Sequence, residues 1–155
     1  MTATENPYHA YLTACQQESI LENTDEINKV RFFLLSDGIN AEKITGLQKT
    51  IAGKNAELVV CDLSAYKGFE KLYTSGHISK AAYFRLDMAN ILPADVQKVI
   101  YLDVDLLVLQ DIAGLWNIDM QGKAIAAVPD YGIMASKRLM QQKYEVIGLP
   151  YCYRS

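Results

Sequence analysis

A chain of 155 residues and 17.3 kDa has the length of one domain and can bury a core without staples. Half its residues are hydrophobic and 21% are charged, a balance that argues against wholesale disorder. Fifteen basic and eighteen acidic side chains leave a net charge of −3, with no cluster of Lys and Arg for nucleic-acid phosphates.

The first residues, Met1 to Pro7, carry no Lys or Arg, so no signal peptide is expected. The first helix is expected over Tyr8 to Glu22. An apolar strand follows at Val30 to Leu35, then a helix over Ala41 to Ala52 with Gly53 as its stop. Glu57 to Cys61 reads as the next strand. Ser79 to Leu92 carries the strongest helical pattern and Pro93 closes it. Val99 to Leu109 and Ala124 to Val128 complete the strand candidates, and a last helix is expected over Ala135 to Ile147 before Gly148 and Pro150. The strand candidates are continuously apolar rather than alternating, as in strands covered on both faces. Alternating strands and helices imply an α/β layered fold with a mostly parallel sheet. No apolar run approaches the roughly twenty residues of a membrane span. Cys15, Cys61 and Cys152 are widely spaced, with no Cys-x-x-Cys pair, which suits a reducing cytosol. The chain reads as soluble and intracellular.

The strand candidates end in carboxylates, and in open α/β sheets ligands bind at the carboxyl ends of strands. Asp37 (before Gly38), Asp62 and Asp130 read as turn or capping residues. Asp103-Val104-Asp105 is different, because apolar runs flank it on both sides. An ionised carboxylate there needs a cation or several donors. In an extended chain residues i and i+2 share a face, so the two carboxylates would repel unless a cation sat between them. Mg²⁺ or Mn²⁺ suits such hard oxygens and completes its shell with phosphates and water. The alternative is a turn whose two Asp side chains cap backbone N–H groups.

Arg85 has Ala81, Ala82, Met88 and Ala89 at helical i±3 and i±4 spacing, so its guanidinium lies in an apolar stripe. It can hold a phosphate or a carboxylate, or form a structural ion pair with Asp103 itself. Lys80 and Asp87 lie off that stripe and read as solvated charges. His77 reads as a cap or surface residue, and Trp116 as core between Leu115 and Ile118.

The stretch from Gly76-His77-Ile78-Ser79-Lys80 to Tyr83-Phe84-Arg85-Leu86, then Val99 to Asp105, then Leu115-Trp116, resembles glycosyltransferase family 8 in order and spacing. That family includes bacterial cell-surface galactosyl- and glucosyltransferases and glycogenin. Ser19-Ile20-Leu21-Glu22-Asn23 and Ala126 to Asp130 fit more loosely. The resemblance implies a Rossmann-like nucleotide-diphospho-sugar transferase fold of GT-A type. It implies a retaining transfer of hexose from UDP-glucose or UDP-galactose to a glycan, lipid-linked or lipopolysaccharide acceptor. Carried over by position, Asp103 and Asp105 would bind Mn²⁺ (or Mg²⁺) and through it the donor diphosphate, with Val104 between them. Arg85 would contact the donor's phosphate or sugar. Ala3, Thr4, Glu5 and Tyr8 match the nucleobase-binding segment in part, with Glu5 where Asp is usual and Pro7 where Asn is usual.

Residues 1–155 are therefore expected to be a single nucleotide-sugar-binding domain, incomplete at both ends relative to the family. Tyr151 to Ser155 looks like the opening of a family segment that the chain does not finish, with Arg154 where Asn is usual. The expected location is cytoplasmic, at the inner face of a membrane through segments not present here. An exposed sheet edge would promote self-association, marginal stability and poor activity of this chain alone. Two further readings are an inactive interaction remnant and a phosphatase using Asp103 as nucleophile and Asp105 as acid. The latter pattern wants Thr or Val where Leu107 stands.

Overall fold

The computed structural model describes residues 2–3, 7–69, 80–128 and Arg138. Contacts divide the chain into two compact units, Met1–Ile118 and Asp119–Ser155. The first unit holds a parallel sheet, in the order β1 (Thr2–Ala3), β2 (Val30–Ser36), β3 (Ala56–Asp62). β2 pairs with β3 over its full length, from Val30 opposite Ala56 to Ser36 opposite Asp62. β1 pairs with β2 at two positions, Thr2 with Leu35 and Ala3 with Ser36.

Helix α1 (Pro7–Asn23) links β1 to β2, and α2 (Ala41–Thr50) links β2 to β3. Pro7 opens α1 in the first turn, where its missing N–H would have had no intrahelical acceptor. Asn40 caps α2, its Oδ1 accepting from the Lys43 amide at 2.9 Å. Gly53, at φ +76°, turns the chain out of α2 into β3. β2 is covered on both faces, which explains its unbroken apolar run. Leu34 packs with Leu47 and Ala14 on one side, and Leu35 packs with Leu63 and Phe84 on the other. Ile20, Phe32 and Ile51 extend the first side toward Leu102, Val108 and Ile112.

The expected helix over 79–92 is present as three short pieces over the described part. These are α3 (Lys80–Tyr83), a 3₁₀ segment (Phe84–Asp87) and α4 (Met88–Ile91). Leu92 leaves helical geometry at ψ 153°, as the crowding by Pro93 demands of the preceding residue. The 3₁₀ segment buries Phe84 completely, edge-on to the ring of Tyr66. Asp87 is half-buried and accepts the Tyr66 hydroxyl, so it is a structural acceptor, not the solvated charge its sequence position suggested.

Two strand expectations fail. Residues 99–109 form no ladder, and Val104–Asp105 is a turn. Side chains of α1 take up the backbone groups at Asp103 and Val108 instead. Residues 124–128 are irregular as well, with Ile125 and Val128 exposed. A last short helix, α5 (Ala113–Trp116), leaves Trp116 44% exposed under the Lys98 ammonium rather than in the core. The expected helix at 135–147 lies outside the described residues, apart from Arg138. In the second unit the described residues 119–128 are irregular apart from a turn at Gln121 (φ 49°) and Gly122 (φ 71°), and Arg138 is helical.

Candidate functional site

The 103–108 segment is held to the α1 stripe by three hydrogen bonds. Gln16 Nε2 donates to the Asp103 carbonyl, Ser19 Oγ accepts from the Val108 amide at 3.0 Å, and Asn23 Nδ2 donates to the Val108 carbonyl at 3.0 Å. Between those anchors the chain turns at Val104–Asp105. Asp103 and Asp105 are both exposed, and Val104 between them is half-buried. Two acidic side chains thus leave one turn toward solvent. Among the described residues, the Asp105 carboxylate has no hydrogen-bond or ion-pair partner.

Asp103 is better supported. Its Oδ1 accepts the Tyr101 hydroxyl at 2.7 Å and lies 3.7 Å from Arg85 Nη1. The guanidinium sits 5.1 Å from the centroid of the Tyr101 ring, and its Nε donates to the Ala82 carbonyl at 2.9 Å. Aromatic stacking and that one bond orient the arginine fork beside the carboxylate. The side chains of Arg85 and Asp103 are 42% and 54% exposed, so their mutual attraction is solvent-screened and worth little to the fold. The cluster can therefore exchange partners cheaply.

Of the residues singled out from sequence, the structure brings Arg85 and Asp103 together and puts Val104 and Asp105 on the adjoining turn. Ala3 lies in β1 beside Ser36, and Tyr8 lies in the first turn of α1, exposed. Thr4, Glu5, His77 and Asp130 lie outside the described residues. Asp62 is the turn residue it reads as: its Oδ1 accepts from the Ser64 amide at 3.0 Å, and that bond holds its carboxyl below the usual range. Tyr101 and Gln16 were not singled out. A Tyr two residues before an Asp and a Gln inside a helix carry no signal of their own.

A cavity of about 660 Å³ lies between β2 and residues 95–102, lined by Phe32, Leu35, Ile20, Val99 and Leu102 among others. It is mostly apolar and its lining does not include Arg85, Asp103 or Asp105, so it is separate from the Asp103–Asp105 turn. No group of three or more His, Cys, Asp or Glu side chains that could close around a metal occurs among the described residues. Among the described residues the turn offers a cation two carboxylates, which fits ions that take one or two protein carboxylates and complete their shell with phosphate and water. No helix among the described residues is long and apolar enough to cross a membrane.

The sequence profile of glycosyl transferase family 8 matches residues 3–153. General stress protein A of Bacillus subtilis (strain 168) is 33% identical over 117 residues, covering 74% of this chain and 40% of that protein. Glycosyltransferase GlyF of Streptococcus pneumoniae serotype 4 (strain ATCC BAA-334 / TIGR4) is 29% identical over 130 residues, covering 83% of this chain and 30% of that protein. The crystal structure of an active-site mutant of LgtC superposes with a TM-score of 0.73 at 26% identity, covering 92% of this chain and 49% of that one. The chain spans less than half the length of each of these. The fold is that of the GT-A nucleotide-diphospho-sugar transferases, a parallel sheet flanked by helices.

Proposed function

The chain belongs to glycosyl transferase family 8, and on that footing we propose that it is the nucleotide-sugar-binding part of a retaining glycosyltransferase. The donor in this reading is UDP-glucose or UDP-galactose and the acceptor a glycan, lipid-linked sugar or lipopolysaccharide. The observation that carries it is the exposed Asp103–Asp105 turn with Arg85 Nη1 3.7 Å from Asp103 Oδ1. A basic fork beside a pair of hard oxygens is complementary to a cation-bound diphosphate.

Asp103 and Asp105 would hold Mn²⁺ or Mg²⁺. When bound, the ion supplies Lewis acidity toward the departing nucleoside diphosphate. The chain's own residues do the rest. Tyr101 fixes the rotamer of Asp103 through its hydroxyl. Arg85 releases its loose contact with Asp103 and takes a phosphate or sugar oxygen. Ala3, Thr4, Glu5 and Tyr8, around the junction of β1 and α1, would contact the nucleoside.

The same reading puts the protein in the cytoplasm, at the inner face of a membrane, and Cys15 and Cys61 are free thiols in keeping with a reducing compartment. Self-association is proposed along β2, which among the described residues pairs with β1 only at Leu35 and Ser36 and has Val30 to Leu34 beyond those pairings. The experiment for donor binding is isothermal titration with UDP in Mn²⁺ and in chelator. Affinity that depends on the metal supports the reading, and affinity that ignores it refutes the metal-bound diphosphate.

A further inference from the structure

We propose that α1 is a positioning element for the carboxylate pair, acting through Ser19, Asn23 and Gln16 on the backbone of residues 103–108. This rests on the reading of Asp103 and Asp105 as the seat of a cation and a diphosphate.

Gln16, Ser19 and Asn23 are spaced i, i+3, i+7, so they form one stripe along a helix. That spacing is usually apolar on a core-facing stripe. Here it is polar, and Gln16 is fully buried. The stripe spends its polar groups on one distant segment, across 85 to 89 residues of sequence. Ser19 is itself oriented, since its hydroxyl donates to the Gln16 carbonyl at 2.9 Å while accepting from Val108. Asn23 is likewise bridged, its amide shared between the Ser19 carbonyl at 2.9 Å and the Val108 carbonyl at 3.0 Å.

The consequence is geometric. Among the described residues no strand pairs with 103–108, so sheet register does not set the spacing of the two carboxylates. One helix pins the turn on both sides, at Asp103 and at Val108, with Asp105 between the pins. The same rod carries Tyr8 in its first turn, about 12 Å along the axis from Gln16 at roughly 1.5 Å per residue. A nucleoside seat at one end and a cation seat at the other are then fixed relative to each other. Loosening the stripe should disturb the cation seat alone.

The test uses Ser19→Ala, Asn23→Ala and their double variant, with Ser19→Thr keeping the hydroxyl. Two readouts are taken: amide hydrogen exchange across the chain, and UDP affinity in Mn²⁺ and in chelator. The expected result is faster exchange confined to residues 103–108 and a loss of Mn²⁺-dependent affinity of roughly fivefold per lost bond. Affinity in chelator and exchange in β2 and β3 stay as in the parent, and Ser19→Thr behaves like the parent. Unchanged exchange at 103–108 overturns the proposal. So does an equal fall of affinity with and without metal, which would make α1 plain scaffold. A parent protein whose UDP affinity ignores Mn²⁺, with exchange still rising in the variants, overturns the reading of the pair and the positioning role with it, while leaving the hydrogen bonds intact as structure.

Discussion

Arg85 stands beside Asp103 without closing on it. Its Nη1 is 3.7 Å from Asp103 Oδ1, while the Tyr101 hydroxyl holds that same oxygen at 2.7 Å. Asp103 is thus oriented by a neutral donor, and the arginine remains available to an incoming anion. Replacing Arg85 by Ala should weaken UDP affinity by roughly tenfold while leaving the thermal midpoint nearly unchanged. Arg85→Lys should recover only part of the loss, because an ammonium cannot grip two oxygens in a fork. Titration and thermal unfolding of the two variants check this together.

The other face of the site's support is apolar. Phe84 is fully buried against Leu35 and Leu63, and its ring meets Tyr66 edge-on. Phe84→Ala should cost about 3–5 kcal/mol by opening a cavity, a large part of an ordinary domain's net stability. Urea unfolding of the variant should show a much lower midpoint, or a chain that does not fold.

Acid should destabilise the first unit modestly. Lys54 holds the Glu22 carboxyl low, Lys29 and then Arg31 hold Glu57 low, Arg31 holds Asp95 low, and the Ser64 amide holds Asp62 low. A depressed carboxyl contributes stability above its unfolded pKa, and that contribution is lost as pH falls through the folded value. These groups are exposed, so the effect should be small and shrink with salt. Burial pushes the Cys61 thiol up, so its contribution runs the other way and fades only at alkaline pH, above the ordinary thiol range. Thermal midpoints from acid to alkaline pH, at low and high salt, measure both.

Self-association should be concentration-dependent. Among the described residues β2 has a full-length partner on one side and two pairings with β1 on the other, where an apolar cavity separates it from residues 95–102. An edge of that kind is a template for another strand. Sedimentation over a wide concentration range should show dimers or larger species; a monomer throughout would remove the edge as an interface.

β2 and β3 were legible because strands covered on both faces are written as continuous apolar runs, whereas β1 at Thr2–Ala3 carries no such run. Val30–Leu35 and Glu57–Cys61 differ from the observed β2 and β3 by a residue at most at either end. The same signal misled at 99–109. Hydrophobic composition says that a segment seeks cover, but not whether a neighbouring strand supplies it. There Leu107 and Leu109 remain exposed, and the backbone bonds go to α1. α1 was legible as a helix, but its buried Thr13, Gln16 and Gln17 look like a solvent face in sequence. Its hold on residues 103–108 follows only from the contacts. Asp103, Asp105 and Arg85 stood out for the opposite reason, as charges set among apolar neighbours.

The proposed cation seat bears the most direct test. UDP titrated into the protein should bind in Mn²⁺ and lose most of that affinity in chelator. Asp103→Asn and Asp105→Asn should each abolish the metal-dependent part while preserving cooperative unfolding, since both carboxylates are exposed and Asp105 has no partner among the described residues. Metal-dependent affinity that survives in both variants would contradict the assignment of these two aspartates.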